Sequence, residues 1–174
     1  MTTSTGEARP ITHYGTEVLH RRCAEVTSFD AGLERLVADM FASMYAANGV
    51  GLAANQIGVD ARVFVYDCPD ATGRHQVGHV VNPVLHLPDP PRELDEDDEG
   101  CLSVPGQQGE LARPAQARVT GLDMRGEPVE VVGSGMLARC LQHEVDHLDG
   151  MVYVDRLPKK ERRRILKAAG LSRG

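Results

Sequence analysis

Apolar residues recur with helical spacing between residues 29 and 49. They share one helix face: Leu33, Leu36, Val37, Met40, Phe41, Met44 and Tyr45. Spacings of three and four residues are typical of an amphipathic helix that packs one face on a core. Asp30 precedes the stripe and is a favoured N-cap residue, whereas Gly49 follows it and suits a helix end. The pattern therefore predicts a long helix in the N-terminal half of the chain.

Shorter apolar segments further along the chain predict β-strands. Residues 61–68, ARVFVYDC, and residues 78–87, GHVVNPVLHL, are rich in β-branched side chains and are separated by a polar turn. Residues 116–132 alternate in the manner of a hairpin, with Arg125–Gly126 as its turn. These segments predict a sheet of antiparallel strands.

Polar and turn-forming residues divide the rest of the chain. Residues 88–100 hold prolines followed by a dense acidic run, which predicts a solvated surface loop. Ser134 is a candidate N-cap for a helix that ends at Gly150, and residues 151–155 predict a short extended segment. Pro158 suits the first turn of a final helix. Helices at both ends of a run of antiparallel strands predict an α+β fold.

Length and composition predict one ordinary globular domain. The chain has 174 residues, of which 41% are hydrophobic and 25% charged, so we expect residues 1–174 to form a single domain. Residues 1–10 are expected to be flexible. No segment approaches the ~20 apolar residues of a membrane span, and the first residues lack the pattern of a signal peptide. The sequence therefore predicts a cytoplasmic protein without a membrane partner.

Charge is distributed unevenly along the chain. The net charge is −6, yet residues 158–174 carry seven basic residues against one acidic residue, a local charge of +6. The remainder therefore carries −12. Aromatic residues make up only 4% of the chain, without a tryptophan, which argues against base-stacking surfaces and DNA binding. The basic helix or tail at residues 158–174 stands apart as a candidate interaction element.

The segment LQHEVDHLDG, residues 141–150, places two histidines four residues apart. His143 and His147 lie on one face of the predicted helix, where both can ligate one metal ion, with Glu144 next to the first. A catalytic metal usually takes three protein ligands and keeps one open position. The alternative interpretation is a helix whose two histidines bind no metal.

The sequence offers two cysteines as a third ligand. Tyr153 occupies the position at which some metalloproteases carry a third histidine, and Glu161 lies within the basic tail. Five other histidines show no partner spacing: His13, His20, His75, His79 and His86. Cys140 lies on the same helix face as the histidines, although an inward cysteine is commonly core packing. Cys101 lies in DEGCLSVPG, where the preceding glycine allows a close backbone approach.

Three motifs resemble those of the peptide deformylases. They occur in order as GVGLAANQ at residues 49–56, EGCLS at residues 99–103 and QHEVDHLDG at residues 142–150. The resemblance extends over nearly the whole chain. It implies antiparallel sheets packed around a central HExxH helix, with a long helix in the N-terminal half and a short basic C-terminal helix. The implied reaction removes the formyl group from the N-terminal formylmethionine of nascent polypeptides.

The resemblance also implies the metal site. Cys101, His143 and His147 correspond to the family's ligands for one divalent ion. The native ion of the family is Fe²⁺, and Zn²⁺, Ni²⁺ or Co²⁺ can substitute for it. A divalent metal lowers the pKa of its bound water to ~7, and the resulting hydroxide is expected to attack the formyl carbon.

Further roles follow from the same resemblance. Glu144 is expected to act as general base and then as general acid toward the leaving amine. The backbone N–H of Leu102 and the side-chain amide of Gln56 are expected to stabilise the oxyanion. Residues 49–51 are expected to bind an extended substrate, with close approach at Gly49 and Gly51 and with Val50 lining the methionine pocket.

Polar residues around the predicted ligands form a second group of candidates. Glu99 and Asp146 are expected to orient the ligands, and Gly100 to allow a close backbone approach. Glu99 can form an ion pair with Arg113, or the two can lie on the surface. Arg139 departs from the family, because an apolar pocket wall is expected one turn before His143. It either extends outward or reshapes the pocket rim.

Two alternative functions remain at this point. A metalloendopeptidase would share the same water-activating chemistry, but Tyr153 stands where a ligand would be needed. A non-catalytic zinc-binding module would need a fourth protein ligand, for which Cys140 is the candidate. The basic C-terminal helix predicts a further partner, the ribosome near the exit of nascent chains, whereas a solvated helix face is the simpler interpretation.

Overall fold

A computed structural model describes residues 6–171 of the chain. The described residues contain three α-helices: α1 Ala31–Ala46, α2 Gly135–Leu148 and α3 Lys159–Ala168. They also contain seven strands: β1 Gly51–Ala53, β2 Val63–Pro69, β3 His75–His86, β4 Leu94–Cys101, β5 Val104–Pro114, β6 Gln116–Leu122 and β7 Pro128–Ser134. Short 3-10 helices occur at Glu17–His20, Ala54–Ile57 and Tyr153–Arg156.

Five strands form one antiparallel sheet in the order β1-β2-β3-β6-β7. The sequence predicted β2 and β3, although the polar turn between them is shorter than expected because pairing extends to Pro69 and His75. The predicted hairpin of β6 and β7 is also present, with Gly126 in its turn at φ 82°. A positive φ is easily adopted by glycine, which explains the residue at that position.

Strands β4 and β5 form a separate two-stranded antiparallel sheet, and this corrects the loop predicted at residues 88–100 from Leu94 onward. The acidic run pairs residue by residue with β5, from Leu94 opposite Pro114 to Gly100 opposite Gln108. Its side chains carry no period-two hydrophobic signal because only Glu99 is buried. Backbone pairing with β5, rather than burial of an apolar face, defines this strand.

Helix α1 begins as predicted, since the Asp30 side chain accepts a hydrogen bond from the Leu33 N–H at 3.2 Å. Its end differs from the prediction. The helix stops at Ala46, and Asn48, with φ 58°, reverses the chain before Gly49. Asparagine tolerates this left-handed conformation, so Gly49 is not needed for the helix end. Its small size serves another purpose, described below.

Helix α2 lies at the centre of the molecule. Eleven of its fourteen residues are buried, and it packs against the main sheet through β1, β2, β6 and β7. The helix starts directly after Ser134, as predicted, but the Ser134 hydroxyl accepts a hydrogen bond from the Ala71 N–H instead of capping the helix. This arrangement confirms the predicted α+β class with antiparallel sheets around the histidine-bearing helix.

The C-terminal part of the described chain contains a 3-10 helix followed by α3. Residues 151–155 were predicted as an extended segment, but Tyr153–Arg156 form a 3-10 helix. Tyr153 then packs in a core cluster with Ile165 and Leu166 of α3. Helix α3 is amphipathic and covers this cluster with these two apolar side chains. Their burial holds the helix in place despite its high charge.

The terminal predictions are covered only in part by the described residues. Residues 1–5 and 172–174 lie outside them, including part of the segment expected to be flexible. Within the described part, Glu7 N–H donates to the Asp39 side chain at 2.8 Å, and Arg9 N–H donates to the Ser43 hydroxyl at 2.9 Å. These bonds hold residues 7–9 against α1. No helix among residues 6–171 is long and apolar enough to cross a membrane.

Candidate metal centre and active site

Three potential ligands converge between α2 and the β4–β5 hairpin. Cys101 lies at the end of β4, whereas His143 and His147 lie one turn apart on α2. The Cys101 Sγ atom is 3.3 Å from His147 Nε2, and the two histidine Nε2 atoms are 3.1 Å apart. All three ligand atoms lie within 4.8 Å of one another. This is the ligand set that the family resemblance implied.

The spacing of these atoms fits one bound divalent metal. Tetrahedral coordination with ordinary metal–sulfur and metal–nitrogen bonds would separate two nitrogens by about 3.4 Å, and sulfur from nitrogen by about 3.6 Å. The observed separations are shorter by about 0.3 Å, so a small outward shift would admit an ion. Thiolate and imidazole are ligands suited to iron, zinc, nickel or cobalt.

Glu99 fixes the orientation of the first histidine. Its Oε2 atom is 2.7 Å from His143 Nδ1, which directs the opposite ring nitrogen toward Cys101 and His147. Arg113 donates from Nε and Nη2 to the two carboxylate oxygens of Glu99, each at 2.7 Å. The ion pair is buried, which decides between the two sequence interpretations. Although burial alone would raise it, the Arg113 and His143 hydrogen bonds hold the pKa of Glu99 well below its usual range.

Asp146 was expected to orient a metal ligand, but it contacts two arginines instead. Its carboxylate accepts hydrogen bonds from Arg113 Nη1 at 3.0 Å and from Arg156 Nε and Nη2 at 2.7 and 2.8 Å. It therefore steadies the arginine that holds Glu99. Its bonds among the described residues do not include one to a histidine ring.

The two histidines differ in their affinity for protons. Burial and the nearby charge of His143 lower the pKa of His147. Burial also opposes protonation of His143, but hydrogen bonding to Cys101 and Glu99 outweighs it and raises the pKa of His143. Because a metal ligand must offer a free lone pair, metal binding at His143 would displace a proton.

Glu144 faces the same site from α2. It is 3% exposed, and its Oε1 atom has no hydrogen-bond partner among the described residues. Burial raises the pKa of Glu144 to about 7. A buried carboxyl group that has a free oxygen and a pKa of about 7 is suited to accept a proton and to return it.

Two glycines of the first motif make room for these groups. A Cβ atom on Gly51 would lie 2.5 Å from Glu144 Oε2 and 2.7 Å from Cys140 Sγ. A Cβ atom on Gly49 would lie 2.9 Å from a methyl carbon of Leu102. Side chains at either position would collide with the site, so close approach explains both glycines.

Cys140 is separated from the metal ligands. Its sulfur lies 3.7 Å from the Val50 carbonyl oxygen and is not a member of the ligand group formed by the described residues. A hydrogen bond with Cys68, together with burial, raises the pKa of the Cys140 thiol well above its usual range. A thiol that resists ionisation is a poor metal ligand. The position of Cys140 and its raised pKa therefore argue against Cys140 as a fourth protein ligand of the metal.

Gln56 and Leu102, the residues expected to stabilise the oxyanion, lie beside Cys101. The Gln56 side-chain oxygen accepts a hydrogen bond from the Ala53 N–H at 3.0 Å, which fixes the amide. Its Nε2 atom donates to the Ser103 hydroxyl at 3.1 Å and lies 3.5 Å from Cys101 Sγ. Leu102 follows Cys101 in the turn between β4 and β5. The Gln56 amide thus lies close to Cys101, and Leu102 is the next residue in the chain.

A cavity of about 460 Å³ opens onto these groups. Of the residues predicted to bind metal or substrate or to act in catalysis, all but His147 line it: Gly49, Val50, Gly51, Gln56, Glu99, Gly100, Cys101, Leu102, Arg139, His143 and Glu144. The cavity is also lined by Cys140, which the sequence offered as a possible metal ligand, and by six residues to which the sequence assigned no role: Asn48, Asp95, Asp97, Asp98, Gln108 and Met136. The acidic residues were missed because the segment was interpreted as a loop, whereas the helical spacing of Met136 with Cys140 and His143 was a usable signal.

Arg139 neither extends into solvent nor leaves the pocket. The residue is 8% exposed and lines the cavity. Its Nη1 atom donates to Glu99 Oε1 at 3.0 Å and to the Leu111 carbonyl at 2.8 Å, and its Nη2 atom donates to the Asp95 carbonyl at 2.7 Å. The guanidinium is therefore directed into the β4–β5 hairpin.

Comparisons with known proteins give the family. A family model described as polypeptide deformylase matches residues 8–163. Peptide deformylase 1 of Streptomyces avermitilis is 59% identical over 163 residues, which cover 93% of this chain and 76% of the relative. Peptide deformylase 2 of Streptomyces coelicolor is 52% identical over 162 residues, covering 93% of this chain and 89% of the relative.

Solved structures give the same result. The crystal structure of peptide deformylase from Ehrlichia chaffeensis matches with a TM-score of 0.84 at 35% identity, covering 94% of this chain and 95% of that one. Peptide deformylase from Thermus thermophilus matches with a TM-score of 0.78 at 41% identity, covering 92% of each chain. Sequence motifs, fold and relatives agree over nearly the whole length, and the chain belongs to the polypeptide deformylase family.

Proposed function

We propose that Cys101, His143 and His147 hold one divalent metal ion with which this peptide deformylase removes the formyl group of formylmethionyl peptides. As a family member, the protein is a hydrolase that acts on the N-formyl group of nascent polypeptides. One observation carries the assignment of residues. Three ligand atoms converge beside a buried Glu144 oxygen that has no partner among the described residues.

Glu144 is proposed to move the proton in the reaction. A divalent metal held by Cys101, His143 and His147 would lower the pKa of a water at this site to about 7. The free Oε1 atom of Glu144 is placed to accept a proton from the attacking water and to return it to the leaving amine. Gly51 keeps the space around the carboxylate open for this transfer, since a side chain there would displace it.

Gln56 and Leu102 are proposed to bind the oxygen that develops negative charge. The Gln56 amide is held by Ala53 through its oxygen, so its N–H₂ group faces the site in a fixed orientation. The Leu102 N–H directly follows Cys101 in the sequence. Donors fixed in advance stabilise a developing oxyanion without reorganisation at the moment of reaction.

The edge of the main sheet is proposed to bind the substrate backbone. Strand β1 is the terminal strand, paired with β2 on one side, and residues 49–51 line the cavity. An extended peptide can pair with such an edge. Val50 is 43% exposed there and offers an apolar contact to the methionine side chain. Glu99, Gly100 and Arg139 border the same cavity on its hairpin side.

We propose Fe²⁺ as the native ion, with Zn²⁺, Ni²⁺ or Co²⁺ as substitutes. The mixed thiolate and imidazole donor set supports any of these metals, and supply in the cell governs occupancy because intrinsic affinity favours zinc over iron. The cytoplasm is the proposed location, since nascent formylated chains are made there.

The ribosome is the proposed partner of α3. The helix buries Ile165 and Leu166 and leaves most of its basic side chains exposed. Exposed cations on a rigid helix can contact the phosphates of ribosomal RNA. Such a contact would place the cavity near emerging formylated N-termini.

The activity is tested with three peptides at one enzyme concentration. Formate release from formyl-Met-Ala-Ser should far exceed deacylation of acetyl-Met-Ala-Ser, because a formyl carbon carries only hydrogen and is more electrophilic. Formyl-Ala-Ala-Ser should lose about 10–100-fold in kcat/KM, since it leaves the apolar contact of methionine unfilled. Equal rates on formyl and acetyl peptides, or cleavage of internal peptide bonds, would contradict the proposal and favour a metallopeptidase.

A further inference from the structure

We infer that Arg139 is a positioning residue for the metal centre, which joins α2 to the β4–β5 hairpin and thereby holds Glu99 against His143. The inference rests on the proposed role of His143 as a metal ligand. It assigns a purpose to a cationic side chain at a position where an apolar pocket wall was expected.

The ligands come from two separate parts of the fold. Cys101 lies on the β4–β5 hairpin, which forms its own sheet, whereas His143 and His147 lie on α2. Within residues 6–171, no strand pairing connects the hairpin to the main sheet against which α2 packs. The distance from sulfur to the two imidazoles therefore depends on how the hairpin docks onto the helix.

Arg139 makes three hydrogen bonds across this boundary. One goes to the Glu99 carboxylate, and two go to the backbone carbonyls of Asp95 on β4 and Leu111 on β5. The two carbonyls fix the guanidinium to both strands of the hairpin. The third bond then places Glu99, whose other oxygen is bonded to His143 at 2.7 Å. Arg139 thus links both strands of the hairpin to α2, the helix that carries His143.

Arg139 also contributes charge at this boundary. Glu99, Asp146 and Glu144 are buried carboxyl groups, and Arg113 is the other buried arginine that contacts Glu99. Removing one guanidinium would leave Glu99 with a single arginine partner and would leave two backbone acceptors without this donor. An unpaired buried polar group costs about 1–3 kcal/mol, so the hairpin would be expected to shift or to admit water.

Lysine cannot reproduce this contact in full. The planar guanidinium offers several donors in a fixed arrangement, and Arg139 uses two of its nitrogens for three acceptors. An ammonium group keeps the positive charge near Glu99 but is a point donor on a flexible stem. Arg139→Lys should therefore retain part of the effect, whereas Arg139→Met retains only the apolar stem.

The test measures Co²⁺ binding and the visible spectrum of the cobalt-loaded protein for Arg139→Met, Arg139→Lys and the wild type. Arg118→Met is the matched control, because Arg118 forms an exposed ion pair with Glu130 on the main sheet. Thermal unfolding of each variant shows that it is folded. Arg139→Met should bind Co²⁺ about tenfold more weakly, the lower end of the usual loss when a group behind a ligand is changed. Its thiolate-to-cobalt absorption should also shift, because the sulfur no longer meets the imidazoles at the same distance.

Arg139→Lys should fall between the wild type and Arg139→Met in both measurements, and Arg118→Met should match the wild type. Wild-type affinity and an unchanged spectrum in Arg139→Met would overturn the inference. If Arg139→Met does not fold, unchanged affinity and spectrum in Arg139→Lys would overturn it instead. A wild-type protein without thiolate-to-cobalt absorption would contradict the proposed ligand set itself, which separates the two failures.

Discussion

Cys101 contributes the sulfur of the candidate metal centre from the last position of β4, 3.3 Å from His147 Nε2. Cys140 is nearer to the histidines in sequence and shares their helix face, yet it packs against β1 and Cys68. Cys140 is thus nearer to the histidines in sequence, whereas Cys101 is the cysteine whose sulfur lies in the group of possible ligands. At the scale of single residues, the ligand set depends on where a side chain lies and on whether its thiol can ionise.

Cys101→Ala should lose most of the bound metal, because a soft thiolate contributes strongly to affinity for transition metals. Cys140→Ala is the matched control and should keep its metal, since its thiol is buried away from the ligand group. Metal content of the two purified variants, measured per chain, decides between them. Equal loss in both, or loss in Cys140→Ala alone, would refute the ligand assignment.

Glu144→Gln should retain the fold and the metal but lose activity by about 10²–10⁴-fold, the range for a positioned acid–base group. The amide is close in shape to the carboxyl group but cannot accept a proton at the same step. Formate release and metal content are measured on the same preparation. A metal-free Glu144→Gln protein would show that Glu144 has a ligating role rather than a catalytic one.

At the scale of elements, β1 and the β4–β5 hairpin form the two sides of the cavity. Strand β1 has only three residues, and its first residue, Gly51, lies directly against the Glu144 carboxylate. The hairpin carries Glu99 and Cys101 on a strand that is otherwise acidic and exposed. Neither element has the apolar alternation of a core strand, so their positions follow from backbone pairing and from contacts with α2.

Gly51→Ala should lower kcat for formate release while metal content stays near that of the wild type. The added methyl group would lie 2.5 Å from the Glu144 carboxylate oxygen, so the carboxylate must move. Gly32→Ala, in the first turn of α1, is the control and should leave activity unchanged because the residue is exposed. Wild-type kcat in Gly51→Ala would contradict the proposed role of this glycine.

At the scale of the whole molecule, α3 differs from the rest of the chain in its positive charge, although one of its faces is buried in the core. The chain carries −6 overall, while the C-terminal segment is strongly basic. Ile165 and Leu166 pack in the same core cluster as Tyr153, whose ring stacks near His143 at a centroid distance of 6.4 Å. Removing the helix would therefore disturb the metal centre, so a test of ribosome binding must preserve its buried face.

Replacing Lys159, Arg163 and Lys167 together by Gln should weaken co-sedimentation with ribosomes while sparing hydrolysis of short formylated peptides. All three side chains are exposed on α3, and loss of phosphate contacts should also reduce the salt dependence of binding. The matched control replaces the exposed Arg35, Arg74 and Arg125, which lie on other parts of the fold. Equal co-sedimentation of both triple variants at moderate salt would contradict the proposed partner surface.

Local patterns in the sequence determined much of this protein. Helical spacing and the Asp30 cap predicted α1, alternation predicted the main strands, and the three motifs identified the family and the candidate residues around His143. These features are readable because each depends on neighbours within a few residues or on a recognisable motif. The β4 strand was not readable, since an acidic strand with one buried residue shows no hydrophobic period.

Only the tertiary structure decided the contacts between distant segments. It buried the Glu99–Arg113 pair and turned Arg139 inward onto two backbone carbonyls rather than into solvent. The backbone partners of Arg139 lie 28 and 44 residues away in sequence. Such contacts arise from the docking of the β4–β5 hairpin onto α2, and no local periodicity encodes the position at which two separately formed elements meet.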